Sequence, residues 1–191
     1  MDSYIFKRKI FNIIETLSES GQKVERKGKY FFLKHFKDRN ELDRYRRINK
    51  VFITSGVQVP KLRYVDKKGL CLLFDFIDAE PVLNSLQYGD LKEEIYDELF
   101  KMFWRCKQEK VNLDFNPINF KFDGERLYYL SSYYTKLEKP EDFLNKDLRM
   151  WFYTKESVAL LKENNLKQEG TLEEEYATNK RITLMCVKYY R

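Results

Sequence analysis

The sequence predicts an α+β fold in which a small antiparallel sheet precedes a mainly helical region. Short aromatic and aliphatic runs separated by turn residues fill the first 77 residues, and helical periodicity dominates the rest. The composition, 43% hydrophobic and 16% aromatic, supplies enough apolar side chains for a buried core.

Three runs in the first region have the composition of strands. Residues 30–36 form an aromatic run with Lys34 in its interior. Residues 62–65 and 70–77 flank the turn sequence Lys67-Lys68-Gly69 and predict a hairpin. A buried lysine is costly unless an anion meets it, so Lys34 either faces a phosphate or lies on an edge strand, where lysine discourages aggregation. Both interpretations remain open.

A helix is predicted between these strands. Leu42, Tyr45 and Phe52 recur at helical spacing, whereas Arg44 and Arg47 fall on the opposite side. The helix is therefore amphipathic, with a cationic outer face.

Beyond residue 77 the sequence predicts several helices and one hairpin. A helix should open at Asp90 and run to residues 107–110, and Asp123-Gly124 marks a hairpin turn. Further helices are predicted from residues 139–142, over 156–162, and over 172–176 with Thr171 as N-cap. Residues 181–190 suit either a terminal strand or a helix packed through Leu184 and Val187.

Asp114 and Asn119 lie five residues apart between the long helix and the hairpin. This order resembles the catalytic loop and metal-binding strand of the protein-kinase-like superfamily. The resemblance implies that Asp114 orients the acceptor hydroxyl and that Asn119 binds a metal ion. The second metal position falls on Ser131 or Ser132, where the family carries Asp.

The upstream sequence is similar to RIO-type and aminoglycoside-phosphotransferase-like kinases, in which a helix ends in a glycine turn before a Val-Pro pair, here Gly56 and Val59-Pro60. The resemblance implies a two-lobe kinase-like fold: an N-lobe of residues 1–77 with a small antiparallel sheet and one helix, and a short, mainly helical C-lobe of residues 78–191. It also implies ATP and Mg²⁺ as cofactors. The nucleotide-site residues it implies are Lys34 on the phosphates, Glu41 positioning Lys34, and Asp75, Phe76 and Ile77 beside adenine.

Three departures from the family leave the function open. Ser131 is neutral, Val111-Asn112-Leu113 stands where the family has His-Gly or His-Arg, and the expected phosphate loop at residues 18–23 has a single glycine. The first hypothesis is a small ATP-dependent phosphotransferase acting on a protein or small-molecule hydroxyl. The second is a pseudokinase that binds a partner, and the third is an unrelated α+β domain in which Asp114 and Asn119 are turn residues.

The positive charge is concentrated near the first helix. The chain has a net charge of +6, and residues 23–50 carry eleven basic against four acidic side chains. This segment predicts either a solvated face or a surface for an acidic protein or RNA.

The remaining composition narrows the function classes. With His35 as the only histidine, hydrolase triads and histidine-rich metal sites are nearly excluded. Cys71, Cys106 and Cys186 have no zinc or disulfide spacing, so we expect core positions in a reducing cytoplasm. No segment is long and apolar enough to suggest a membrane span, and no cleavable signal is visible.

Overall fold

The computed structural model describes residues 2–89 and 91–189, and these residues confirm the α+β class. The chain divides into two compact units. The first comprises Met1–Val51 and Val59–Asp78, and the second comprises Phe52–Gln58 and Ala79–Arg191.

The first unit contains a six-stranded antiparallel sheet with the order β1-β2-β3-β4-β6-β5. Its strands are β1 (Ser3–Phe6), β2 (Lys9–Ser18), β3 (Gly21–Arg26), β4 (Lys29–His35), β5 (Leu62–Asp66) and β6 (Cys71–Asp75). The predicted β4 strand and the β5–β6 hairpin are confirmed. Strands β1 and β2 were not predicted, because their connecting turn, Lys7-Arg8, lacks the usual Asn-Gly signature.

Strand β6 lies inside the sheet and is buried on both faces. Cys71 and Leu73 pack with Leu33 of β4 on one face, and Leu72 and Phe74 pack on the other. Helix α1 (Arg39–Thr54) covers this second face, and its Leu42 is fully buried there. The sequence pattern placed α1 correctly because its apolar side chains have a clear 3.6-residue period.

The second unit is mainly helical. Its helices beyond the end of α1 are α2 (Val82–Leu86), α3 (Glu93–Gln108), α4 (Glu141–Asn145), α5 (Lys155–Glu163) and α6 (Glu175–Tyr189). Two short antiparallel pairs accompany them, β7 (Val111–Leu113) with β10 (Tyr134–Lys136), and β8 (Phe120–Phe122) with β9 (Leu127–Tyr129). A small antiparallel sheet followed by a mainly helical unit is the arrangement that the kinase-like resemblance implies.

Two expectations for the C-terminal region were wrong. Thr171 does not cap a helix, because residues 171–174 are irregular and α6 begins at Glu175. The terminal segment is a helix, yet Leu184 and Val187 are exposed rather than packed. Asp90 and Tyr190, which the sequence placed at a helix start and at the end of this segment, lie outside the described residues.

The cysteine expectation is confirmed for two of the three positions. Cys71 and Cys106 are buried, whereas Cys186 on α6 is half-buried. In the part of the chain that the structure describes, no helix has the length and apolar character to span a membrane.

Candidate functional site

The segment carrying Asp114 and Asn119 is a tight loop fixed by its own hydrogen bonds. Asp114 is exposed, and its Oδ1 accepts the backbone N–H of Asn116 at 3.2 Å. Asn116 in turn caps the 3₁₀ helix Pro117–Asn119. The Asn119 side chain closes the loop, because its Nδ2 donates to the Asp114 carbonyl at 3.2 Å. The structure thus brings the two motif residues together.

The phenol of Tyr129 links this loop to the residues that follow β9. Its hydroxyl accepts the Asp114 N–H at 3.2 Å and donates to the Tyr133 carbonyl at 2.7 Å. Tyr129 is fully buried, and burial raises its pKa to about 12. The phenol therefore stays neutral and keeps both hydrogen bonds over the physiological pH range.

Ser131 lies two residues beyond Tyr129, beside the loop. The N–H of Leu130 donates to the Asn119 carbonyl at 2.8 Å, which fixes the chain next to the loop. The Ser131 hydroxyl accepts the Tyr133 N–H at 3.2 Å. Residues 114, 119 and 131 are thus assembled by one hydrogen-bonded framework.

The oxygen donors at this framework are poorly suited to Mg²⁺. Asn119 and Ser131 offer only neutral oxygens, whereas protein-bound Mg²⁺ generally takes one or two carboxylates. Among residues 2–89 and 91–189, no group of three or more His, Cys, Asp or Glu side chains could hold a metal ion. Asn119 and Ser131 therefore do not fit a metal site by themselves.

Sequence reasoning missed Asp147, a half-buried carboxylate near Asp114. Burial, together with the nearby charges of Asp114 and Asp142, raises the pKa of Asp147 to about 6. Asp147 begins the 3₁₀ helix Asp147–Trp151, directly after α4. No local pattern marks this residue, because only the packing of this segment on the loop brings it close.

Aromatic side chains hold the Asp147 segment in place. The indole Nε1 of Trp151 donates to the Phe115 carbonyl at 2.8 Å, and both side chains are buried. Tyr96 of α3 donates to the Trp151 carbonyl at 2.7 Å. The ring centroids of Phe143 in α4 and Phe115 lie 4.8 Å apart. Helices α3 and α4 thereby hold the segment Asp147–Trp151 against the loop that follows Asp114.

Lys34 lies in β4 within the first unit, paired in register with Gly21. Its side chain is half-buried, and its ammonium lies 5.3 Å from the Tyr45 ring centroid and 5.9 Å from that of Phe36. Among the described residues of this unit, no carboxylate lies within 4.0 Å of that ammonium. The Lys34 ammonium is therefore stabilised by cation–π contacts with these two rings.

Glu41 has a different partner from the one that the resemblance implied. Its carboxylate accepts the Lys37 N–H at 2.9 Å, and Asp38 accepts the Glu41 N–H at 2.8 Å. These reciprocal bonds cap the start of α1. The Glu41 carboxylate thus caps the N-terminal end of α1 instead of pairing with Lys34.

The remaining predicted nucleotide residues lie at the end of β6. Asp75 forms two hydrogen bonds with Arg63 of β5, at 2.6 and 2.7 Å, so its carboxylate stabilises the β5–β6 pair. The Phe76 N–H donates to the Tyr30 carbonyl, and Ile77 is half-buried beyond the strand. The expected phosphate loop is a two-residue turn, Glu19-Ser20, between β2 and β3. Only these two residues connect the strands, because the strands pair up to Ser18 and Gly21.

Among the solved structures similar to this chain is the choline kinase LicA from Streptococcus pneumoniae, which matches over 94% of this chain and 83% of its own, with 13% identity and a TM-score of 0.43. No protein-family model and no curated protein matches the sequence.

Proposed function

We propose that this chain is a small kinase-like phosphotransferase in which Asp114 orients the acceptor hydroxyl. The observation that supports the proposal is the framework around Asp114. Its backbone is fixed by Asn119 and Tyr129, while its carboxylate remains exposed to an incoming hydroxyl. A preorganised carboxylate of this kind is what phosphoryl transfer requires, because positioning supplies most of the catalysis.

In the proposed reaction, the acceptor hydroxyl donates a hydrogen bond to the Asp114 carboxylate. The oxygen–phosphorus bond to the acceptor forms, the bond to the leaving nucleoside diphosphate breaks, and the hydroxyl proton passes to Asp114. Lys34 supplies positive charge for the nucleotide phosphates. We assign no step to Mg²⁺, because Asn119 and Ser131 are neutral donors. The acceptor class, a protein or a small-molecule hydroxyl, stays open.

The test combines nucleotide binding with turnover. ATP should raise the midpoint of thermal unfolding, since a ligand that binds only the folded state stabilises it by mass action. Asp114→Asn should keep this shift and lose ATP turnover, whereas Lys34→Ala should lose the shift. Glu125→Gln and Lys37→Ala are matched controls, because both side chains are exposed. Turnover unchanged in Asp114→Asn would refute the assignment of the base.

A nucleotide-binding pseudokinase is the second candidate, favoured by Ser131 and by the helix-capping role of Glu41. This candidate predicts an ATP shift that is independent of Mg²⁺ and no turnover above background. Ser131→Asp should then add a carboxylate beside Asn119 and make ATP binding depend on Mg²⁺. An unchanged metal response in that variant would argue against a decayed metal site.

A further inference from the structure

The first unit contains a cavity of about 410 Å³ that the proposed phosphotransferase site does not use. It is lined by the β1–β2 turn, by α1, and by the end of β5 with the turn that follows. The lining residues are Phe6, Lys7, Arg46, Val65, Asp66, Lys67 and Lys68. The volume lies within the range typical of small-molecule sites.

The lining is strongly cationic, with four basic side chains and one acidic side chain. The Asp66 carboxylate accepts three hydrogen bonds from the protein itself. The donors are the Tyr4 hydroxyl at 2.6 Å and the backbone N–H groups of Lys68 and Gly69 at 3.0 and 2.9 Å. These bonds hold the pKa of Asp66 below its usual range, with the Gly69 N–H as the largest cause. Asp66 therefore orders the turn that carries Lys67 and Lys68.

The lysines around the cavity lack carboxylate partners. Within the described part of the chain, no carboxylate lies within 4.0 Å of the ammonium groups of Lys7, Lys67 or Lys68. Arg46 forms one exposed ion pair, with Asp43 at 3.3 Å. Asp66, whose pKa is lowered by its hydrogen bonds and in part by the charge of Lys68, is the one carboxylate among the cavity's lining residues, so the lining keeps an excess of positive charge that a bound anion would balance.

The turn that presents Lys7 has an unfavourable backbone. Lys7 and Arg8 both adopt positive φ, 44° and 67°, in a two-residue hairpin turn where Asn-Gly is the usual sequence. Residues other than glycine in this region carry a cost of about 1 kcal/mol or more each. The turn places Lys7 in the lining of the cavity.

The wider electrostatics favour an anion at this unit. The first unit carries 18 Lys and Arg against 10 Asp and Glu, a net charge of +8, whereas the second unit carries 18 against 20. We propose that the cavity binds a soluble small molecule carrying two phosphate groups. The phosphates contact Lys7, Lys67 and Lys68, at a site distinct from Lys34.

The lining distinguishes this ligand class from single-stranded nucleic acid. Binding of single strands depends on exposed aromatic rings on which bases stack. Phe6, the aromatic ring of the cavity, is only 6% exposed and packs against Tyr64 with ring centroids 4.8 Å apart. It offers no free face to a base. Lysine ammonium groups bind phosphate as point charges, without need of a planar partner.

Calorimetric titration with inorganic pyrophosphate tests the proposal on the full chain. The variant Lys67→Glu/Lys68→Glu reverses two cavity charges. The control Arg44→Glu/Arg47→Glu makes the same change of net charge on the exposed face of α1, outside the cavity. We expect the cavity variant to weaken pyrophosphate binding by roughly tenfold or more and the control by much less. Lys34→Ala should leave pyrophosphate binding unchanged.

Three outcomes would overturn the proposal. Equal weakening in both double variants would indicate diffuse attraction to the basic unit. Loss of pyrophosphate binding in Lys34→Ala would assign the ligand to the proposed nucleotide site. Binding of single-stranded RNA without binding of pyrophosphate would favour nucleic acid. If the double variant unfolds, Lys7→Glu alone gives the same readout from the opposite side of the cavity.

Discussion

Replacing Asp147 by Asn should stabilise the protein at neutral pH and have little effect at acidic pH. Burial and the nearby charge of Asp114 raise the pKa of Asp147 from 3.8 to about 6. A shift of about two pKa units corresponds to about 3 kcal/mol. The side chain is only half-buried, so solvent screening reduces the expected gain to about 1–2 kcal/mol.

The direction in which stability changes with pH follows from proton binding to Asp147. The folded protein holds the Asp147 proton more tightly than the unfolded chain does, so the contribution of Asp147 to stability falls as pH rises from about 4 to about 6. Above that range, the carboxylate is charged in both states and carries the full cost. Below it, the group is protonated in both states and the cost disappears.

Urea unfolding of the wild type and Asp147→Asn at about pH 4 and about pH 7.5 measures this difference. Glu125→Gln is the control, because an exposed carboxylate should change the free energy of unfolding by less than about 0.5 kcal/mol at either pH. An equal effect of Asp147→Asn at both pH values, or a loss of stability at neutral pH, would refute the proposed environment of Asp147.

Two further substitutions test the packing of the second unit by urea unfolding. Trp151→Phe removes the N–H that donates to the buried Phe115 carbonyl and should cost about 1–3 kcal/mol, whereas an unchanged stability would contradict that hydrogen bond. Gly56→Ala should cost more than Gly28→Ala. Both glycines have positive φ, but a Cβ at Gly56 would lie 2.7 Å from Cδ of Arg105, whereas nothing lies within 4 Å at Gly28. Arg105 would then have to move and weaken its 3.1 Å hydrogen bond to the Gly56 carbonyl, and equal costs at the two glycines would contradict this explanation.

Elements with a strong local pattern could be predicted from sequence. Strand β4 is an uninterrupted aromatic run, α1 has a clear helical period, and the β8–β9 hairpin carries Asp123-Gly124 at its turn. Each of these signals lies within a short stretch of chain. Side-chain periodicity and turn chemistry therefore identify the elements, while the boundaries differ by a residue or two: the run predicted over 30–36 is the strand Lys29–His35, and that predicted over 70–77 is the strand Cys71–Asp75.

Elements without such a pattern could not be predicted. The β1–β2 hairpin turns through Lys7-Arg8, whose positive φ values contradict the usual preference of both residues. Helix α6 exposes Leu184 and Val187, so its apolar residues do not mark a buried face. In both cases tertiary context overrides local preference.

The candidate site residues also divide into those marked by a local sequence pattern and those brought together only by tertiary packing. Asp114 and Asn119 were predicted from their five-residue spacing, and a hydrogen bond joins them within one loop, although their functional role stays a prediction. Glu41 was predicted to position Lys34, yet its carboxylate accepts the backbone N–H of Lys37, four residues earlier. Asp147 comes near Asp114 only through the packing of a segment that follows later in the chain, so no spacing rule could have revealed it.

Two hydrogen bonds hold the loop around Asp114 without using the side chain at position 131, whereas the Ser131 hydroxyl accepts the nearby Tyr133 N–H at 3.2 Å. Tyr129 holds the loop with a neutral hydroxyl, and the bonds to Asp114 and Tyr133 involve backbone groups. Aspartate at position 131 would add charge and leave the bonds from Tyr129 in place. We therefore expect that metal binding can be changed at this position without changing the loop. A Ser131→Asp variant that unfolds like the wild type and binds ATP more tightly with Mg²⁺ would trace the metal dependence of ATP binding to a single side chain.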